Sequence, residues 1–153
     1  MRVVLQRVLS ASVRAAESGE VMGSTGPGLL VLAGFAEDDG EPDLNWMVEK
    51  ILHLRIFNDD QGRMNHSLLD AGGSLLVVSQ FTLMADCRKG RRPSFQKAGS
   101  PEEGEKLYEQ FVRLLKQGCA RTETGRFRSH MHVELVNDGP VTIILDSSER
   151  KGG

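Results

Sequence analysis

The chain has 153 residues, of which 39% are hydrophobic and 26% are charged, and its net charge is −2. This length and balance fit one domain with its own apolar core and exclude a disordered or repetitive chain. A net charge so close to zero excludes a broad basic surface, so any contact with nucleic acid needs a local cluster of cations. No apolar run approaches the roughly 18 residues that span a bilayer, and we expect a cytoplasmic protein with no membrane partner.

The N-terminal third predicts strands followed by a helix. Apolar residues alternate from Val3 to Val8, and the run 29–32 has the composition of a buried strand. Turns that contain glycine separate these strands. From Glu41 to about Phe57, apolar residues recur at helical spacing and Pro42 suits a first turn, which indicates an amphipathic helix packed on a sheet.

The remainder of the chain predicts three more strands and a second helix. The run 75–78, which follows two glycines, indicates a central buried strand. Ser100, Pro101 and Glu103 have the spacing of a capping box and begin a helix that ends near Gly118. Strands follow at 131–136 and 141–145, and the segment 137–140 between them is typical of a hairpin connection.

These elements predict an α+β fold with mostly antiparallel sheet, because strands dominate both ends of the chain. Residues 1–146 are expected to form the single domain, and residues 147–153 are expected to form a flexible tail. Cys87 and Cys119 are only two thiols in a chain that needs no disulfides, so we expect both to be reduced.

The sequence lacks the common catalytic templates: a P-loop, a dinucleotide fingerprint, a G-x-S-x-G elbow and an H-E-x-x-H zinc motif. His130 and His132 would share one face of a strand, but no third ligand stands at metal spacing, and we expect neither a metal nor a cofactor. Cations beside Cys87 would favour its thiolate, yet no histidine is linked to it in sequence, which favours an ordinary thiol.

Two segments are better candidates for function. Arg88, Lys89, Arg91 and Arg92 place four cations on a loop, which suits phosphate contacts if the loop is more than solvated surface. The segment 79–82, Ser-Gln-Phe-Thr, puts three polar side chains directly after a buried strand. These polar groups need partners or a ligand, unless the hydroxyls only satisfy backbone groups at the strand end.

Ser79-Gln80-Phe81-Thr82-Leu83 together with Asn137-Asp138-Gly139-Pro140-Val141-Thr142 resembles the paired motifs of the D-aminoacyl-tRNA deacylases, also known as D-tyrosyl-tRNA deacylases. The likeness extends over essentially the whole chain. It implies strands curled into a barrel-like core with two or more outer helices, assembled as a symmetric homodimer. Each active site would combine Ser79, Gln80, Phe81 and Thr82 of one subunit with Gly139 and Pro140 of the other.

The resemblance also implies a mechanism. In the family the Gly-Pro bond is cis, and the carbonyl oxygens of Gly139 and Pro140 would hold the α-ammonium group of a D-aminoacyl ester on the acceptor end of tRNA. An L side chain would collide with this backbone, whereas glycine would pass, including glycine mischarged on tRNA-Ala. The ribose 2′-hydroxyl of the substrate would assist water, and N–H groups near Phe81 and Thr82 would bind the oxyanion, so Thr82 is assigned to positioning.

Further residues match the family at single positions. Met131 would line the pocket and Arg7 would steady the Gly-Pro segment. Arg128-Ser129-His130 stands where the family typically has small residues, and Cys87 stands where a threonine is commoner. The expected partner is tRNA and not DNA. Two alternatives remain: a non-catalytic RNA-binding module that uses the 88–92 loop, and a hydrolase or redox protein that depends on Cys87.

Overall fold

The computed structural model describes residues 1–150, which form eight β-strands and three α-helices. In chain order they are β1 (Arg2–Ala15), β2 (Val21–Thr25), β3 (Gly28–Gly34), α1 (Glu41–His53), β4 (Phe57–Asn58), β5 (Met64–His66), α2 (Leu68–Ala71), β6 (Ser74–Ser79), α3 (Pro101–Gly118), β7 (Thr122–Thr124) and β8 (Met131–Asp146). Short 3-10 helices cover Phe81–Met84 and Ser147–Glu149. Within residues 1–150, every helix is too short or too polar to cross a membrane.

The long strand β1 is the centre of the main sheet. Its first half pairs with β3 and its second half with β2, and β8 runs along its other edge, all antiparallel. β6 then pairs with β3, and β7 with β6, both parallel. The predicted α+β fold with mostly antiparallel pairing is confirmed. Periodicity did not reveal the two parallel pairs, which arise because the connections that contain α1 and α3 return the chain in the same direction.

The sheet curls until its two ends, β2 and β7, almost meet. A Cβ atom built on Gly23 of β2 would lie 2.5 Å from the carbonyl oxygen of Thr124 in β7. The carboxylate of Glu123 accepts a hydrogen bond from the N–H of Ser24 at 3.1 Å. No backbone ladder joins β2 to β7 within residues 1–150, so the barrel is nearly closed and a side chain bridges the seam.

Both faces of the central strands are buried, which explains their continuous apolar runs. Successive side chains of β3 and β6 point to opposite faces of the sheet. One set, which includes Leu29, Val31, Leu75 and Val77, packs with the helices in an outer core. The other set fills the inside of the barrel together with residues of β1, and comprises Val8, Ala11, Val13, Leu30, Leu76 and Val78.

The two main helices begin where the sequence predicts. Pro42 lies in the first turn of α1, and Ser100 caps α3 by accepting the N–H of Glu103 at 3.3 Å. α3 ends at Gly118 as predicted. α1 ends at His53, four residues before the predicted end, because the chain becomes extended at Leu54 and leads into the β4–β5 hairpin.

The predicted hairpin at 137–140 is wrong, because β8 is one continuous strand that pairs with β1 on both sides of this segment. Val8 pairs with Asn137 and Gln6 pairs with Thr142, so the four residues 138–141 stand opposite Arg7 alone. The turn-forming residues therefore make a bulge within a strand. Turn composition does not distinguish a bulge from a hairpin when the partner strand is unknown.

The end of the described chain contacts its beginning. Ser147 is buried, its N–H donates to the carbonyl oxygen of Met1, and its Oγ accepts from the amino group of Met1 at 2.6 Å. Arg2 contacts the carboxylate of Asp146 at 2.9 Å. The flexible tail predicted from Ser147 onward thus starts at a buried residue, and its last residues, 151–153, lie outside the described part of the chain.

We expect Gly28→Ala to destabilise the fold by about 2 kcal/mol, because overpacking a core contact carries that order of cost. A Cβ atom on Gly28 would lie 1.9 Å from the carbonyl oxygen of Ser74, where β3 meets β6. Gly26→Ala is the matched control, since no atom lies within 4 Å of its added Cβ, and it should change stability by less than about 0.5 kcal/mol. Urea unfolding measures the free energy of unfolding of both variants. Equal values for Gly28→Ala and Gly26→Ala would contradict the close approach of β3 and β6.

Candidate active site

A cavity opens at the carboxyl ends of the parallel strands β3 and β6. Its volume is about 770 Å³, which is within the range of small-molecule sites. Ala33 of β3 pairs with Ser79 of β6 at this edge, and both line the cavity. The start of α3 and the segment that leads into β8 form the remaining walls. Three distant parts of the chain therefore meet around one opening.

The segment Ser79–Thr82 forms the polar side of this opening. Ser79, Gln80 and Phe81 line the cavity, whereas Thr82 lies just beyond the lining and is exposed. The backbone of Gln80 is fixed because its N–H donates to the carbonyl oxygen of Ala33 at 2.7 Å. The side-chain amide of Gln80 donates to Oγ1 of Thr82 at 2.5 Å. The hydroxyl of Thr82 thus accepts from a neighbouring side chain in this arrangement.

The first two N–H groups of the 3-10 helix Phe81–Met84 are available to a ligand. The first N–H groups of any helix have no carbonyl partner within that helix. Within residues 1–150, no other carbonyl or side chain accepts from the N–H of Phe81 or of Thr82. Two adjacent free N–H donors beside a cavity could bind an oxyanion.

The rest of the cavity is mainly apolar. Val78, Met131 and Val133 form the part that continues the barrel interior. Phe127 packs against Tyr108 with ring centroids 5.7 Å apart and ring planes tilted by 32°. The hydroxyl of Tyr108 donates to the carbonyl oxygen of Val77 at 2.9 Å, and burial raises the pKa of Tyr108 to about 12, so this group stays protonated at neutral pH. Met131 lines the cavity, and its role toward a substrate stays a prediction.

Two ionisable side chains, Arg128 and His130, line the cavity, and the lining within residues 1–150 includes no carboxylate and no thiol. The imidazole of His130 meets that of His132 edge to face, with ring centroids 5.7 Å apart. The described lining thus holds no carboxylate and no thiol, and His130 is its one side chain of a type that commonly serves as a general base.

Gly139 and Pro140 do not line the cavity of their own chain. They lie exposed in the 138–141 bulge of β8, the peptide bond between them is cis, and Gly139 has a φ of 140°. The side chain of Asn137 closes the base of the bulge, because its Oδ1 accepts the N–H of Val141 at 2.8 Å and its amide donates to Oγ1 of Thr142 at 3.1 Å. The bulge therefore projects from a fixed base.

Arg7 holds this bulge from the side of β1. Its guanidinium donates to the carbonyl oxygen of Asp138 at 2.9 Å and to that of Ile56 at 2.8 Å. It also donates to Oδ1 of Asn58 at 3.2 Å, and its Nε lies 3.6 Å from the carboxylate of Asp138. The residue is only 6% exposed, so these acceptors replace water around a buried cation.

The basic loop 88–92 is exposed and reaches the site through its flanking segment. Asp86 and Ser94 form an isolated bridge at its base, and Phe95 contacts Phe81 edge to face with ring centroids 5.1 Å apart. The guanidinium of Arg88 is bound by the carboxylate of Asp86 at 2.6 Å, which holds the pKa of Asp86 well below its usual range. Among residues 1–150, no carboxylate pairs with Lys89, Arg91 or Arg92.

Several cavity residues were not predicted from the sequence. Phe35 and the segment 98–101 line the opening, although in the sequence they mark only the end of a strand and the cap of a helix. Phe127 lines it as well, together with Arg128, Ser129 and His130, which the sequence marked as a departure from the family's small residues and, for His130, as a potential metal ligand. Cys87 is exposed and outside the lining, and Cys119 is buried. Phe35 and the segment 98–101 reach the cavity through the fold, and no local sequence pattern marks them as lining residues.

The comparisons with known proteins agree over nearly the full chain. A family model described as D-Tyr-tRNA(Tyr) deacylase matches residues 4–146. Relatives from Thermotoga petrophila and Clostridioides difficile, both named D-aminoacyl-tRNA deacylase, are each 54% identical over 149 residues. Each alignment covers 97% of this chain and 99% of the relative.

Two solved structures have the same fold. One, named c-Myc DNA Unwinding Element Binding Protein, has a TM-score of 0.90 and 39% identity and covers 95% of this chain and 98% of its own. The other, a probable eukaryotic D-amino acid tRNA deacylase, has a TM-score of 0.80 at 21% identity and covers 94% and 97%. The second likeness bears on the fold alone because its identity is low.

We expect Arg7→Met to destabilise the protein by about 3 kcal/mol, because it leaves buried carbonyl oxygens without a donor. Arg14→Met is the matched control on the same strand, since Arg14 makes one exposed hydrogen bond at 3.3 Å. Thermal or urea unfolding measures the loss. Hydrogen exchange at Val141 should also become faster in Arg7→Met only, and unchanged exchange would show that the bulge does not depend on Arg7.

Proposed function

The chain belongs to the D-Tyr-tRNA(Tyr) deacylase family, and we propose that it cleaves the ester of D-aminoacyl-tRNA while rejecting the L-isomer through main-chain contacts. Its general activity is that of a D-aminoacyl-tRNA deacylase, a carboxylic ester hydrolase that acts on a tRNA. The observation that carries the proposed mechanism is the segment Ser79–Thr82 at the cavity mouth, with the free N–H groups of Phe81 and Thr82.

Catalysis is proposed to need no side-chain base. Water adds to the carbonyl carbon of the ester, and the N–H groups of Phe81 and Thr82 bind the oxygen that becomes negative. The bond between the carbonyl carbon and the ribose oxygen then breaks. The neighbouring ribose hydroxyl of the substrate passes the proton of the water to the leaving oxygen, which yields free amino acid and tRNA. This route is supported by a described lining that holds no carboxylate and no thiol, and whose one imidazole, that of His130, packs against His132.

Chiral selection is proposed to reside in Gly139 and Pro140 of a second copy of the chain. Their carbonyl oxygens would accept from the α-ammonium group, so that an L side chain meets backbone and a D side chain meets open space. Glycine would pass, and glycyl-tRNA mischarged on tRNA-Ala is therefore a proposed substrate. The exposure of this dipeptide, which lies outside its own cavity, supports a site shared between two subunits.

A homodimer is also supported by the surface around the bulge. β8 pairs with β1 on one edge only, so within residues 1–150 its other edge has no strand partner. Apolar side chains are exposed on these two strands, including Leu9, Val136 and Ile144. Exposed apolar area beside an unpaired strand edge is typical of a protein interface.

The cations of the 88–92 loop are proposed to contact phosphates of the tRNA. Arg88 is neutralised by Asp86, so Lys89, Arg91 and Arg92 would contribute most of the attraction. Two alternatives use the same region: a non-catalytic RNA-binding module, and a hydrolase that depends on Cys87. The first would bind tRNA and release no amino acid, and the second would lose activity on alkylation.

We expect the purified protein to release D-tyrosine from D-tyrosyl-tRNA and to leave L-tyrosyl-tRNA intact. Thr82→Ala should lower kcat by less than about a hundredfold, since the backbone N–H that serves as oxyanion donor remains. Cys87→Ala should keep full activity and is the control for the thiol alternative. Release of labelled amino acid from matched D- and L-substrates measures these outcomes, and cleavage of both isomers at one rate would refute the filter.

The double variant Arg91→Ala, Arg92→Ala should raise the KM for D-aminoacyl-tRNA and leave kcat nearly unchanged. It should also reduce the slope of log kcat/KM against log salt concentration by about two, because each lost phosphate contact removes about one. Arg88→Ala should change this slope less. Steady-state kinetics between about 50 and 200 mM salt test the assignment. Equal slopes in the parent protein, the double variant and Arg88→Ala would rule it out.

A further inference from the structure

Arg128 has a backbone conformation that its residue type disfavours. Among residues 1–150, it is the only non-glycine residue with a positive φ, which is 61°. In this left-handed region the Cβ atom crowds the backbone, and glycine is the residue that adopts it at no steric cost. A non-glycine residue that keeps this backbone conformation needs an interaction or a function that offsets its steric cost.

Contacts within the chain do not supply that role. The guanidinium of Arg128 lies 4.0 Å from the carboxylate of Glu102, and the two side chains are 57% and 74% exposed. An ion pair so long and so solvated contributes little to stability. Arg128 is not buried, so packing does not explain the conformation either.

Arg128 lies at the edge of the cavity, with its side chain exposed to solvent. It lines the opening together with Ser79, Gln80 and His130. The lining offers no second guanidinium or ammonium group within the described chain. A ligand that enters from solvent therefore meets one solvated cation together with the polar segment and its free N–H groups at the mouth of the cavity.

We propose that Arg128 is a positioning residue that binds the phosphodiester next to the terminal adenosine of the acceptor end. The inference rests on the proposed function. If the ester carbonyl reaches the N–H groups of Phe81 and Thr82, the aminoacyl-adenosine occupies the cavity and the first phosphate stands at its mouth. Guanidinium binds phosphate through two parallel hydrogen bonds, and the exposed carboxylate of Glu102 is displaced at little cost.

The decisive variant is Arg128→Gly, because it removes the cation and also suits the left-handed backbone. We expect its melting temperature to be unchanged or higher, so lost activity would not report unfolding. The KM for D-aminoacyl-tRNA should rise about fivefold with kcat retained, and the salt slope of kcat/KM should fall by about one. Arg128→Lys keeps a charge at the same place and should recover part of the KM.

Two controls locate the effect. Arg126→Ala removes an exposed arginine two residues away that does not line the cavity, and it should behave as the parent protein. D-Aminoacyl-adenosine carries the ester without the phosphate, and Arg128→Gly should cleave it as fast as the parent protein does.

Five outcomes overturn the assignment. Arg126→Ala could raise KM equally, which would mean a general charge effect, or Arg128→Gly could lose as much on D-aminoacyl-adenosine. The loss could be confined to D-aspartyl and D-glutamyl esters, which would mean that Arg128 reads a side-chain carboxylate instead. If the parent protein cleaves neither substrate, the proposed function fails as well, whereas cleavage at equal KM by parent and Arg128→Gly overturns the role of Arg128 alone.

Discussion

The buried guanidinium of Arg7 joins the parts of the molecule that must keep a fixed relation. It lies on β1 where the 138–141 bulge interrupts the ladder to β8, and its guanidinium donates to the carbonyl oxygens of Ile56 and Asp138. A cation that is removed from water needs several hydrogen-bond acceptors. The bulge and the residues between α1 and β4 are therefore held where their carbonyl oxygens accept from Arg7. The strand, the hairpin after α1 and the projecting dipeptide are therefore coupled through one side chain.

The candidate site depends on two other strands of the same sheet, β3 and β6. Because β3 and β6 are parallel and in register, their carboxyl ends meet, and the polar segment after β6 starts beside β3. The N–H of Gln80 is bound to β3, and the 3-10 helix that follows begins from this fixed point. The cavity is thus a consequence of a crossover connection and of the polar residues that end a buried strand.

Much of the fold could be predicted from local patterns. The cap at Ser100 located α3, and the apolar run 75–78 identified a central strand, because capping and burial are local constraints. The bulge at 138–141 was mistaken for a hairpin, since its nature depends on pairing with distant β1. The parallel pairs and the walls around Phe35 and Arg128 also depend on distant contacts, which a single sequence does not display. The segment 79–82 was a candidate from its polar residues after a buried strand, whereas Gly139 and Pro140 were singled out only by the resemblance to a family.

The donors at the start of the 3-10 helix belong to the main chain, and this has a genetic consequence. A codon change alters a side chain and leaves the peptide N–H in place, unless the new residue is proline. The groups proposed to bind the oxyanion at Phe81 and Thr82 therefore present a very small mutational target. Side chains around the opening can diverge over generations while the reactive centre persists, and an arginine such as Arg128 can be acquired without loss of the underlying chemistry.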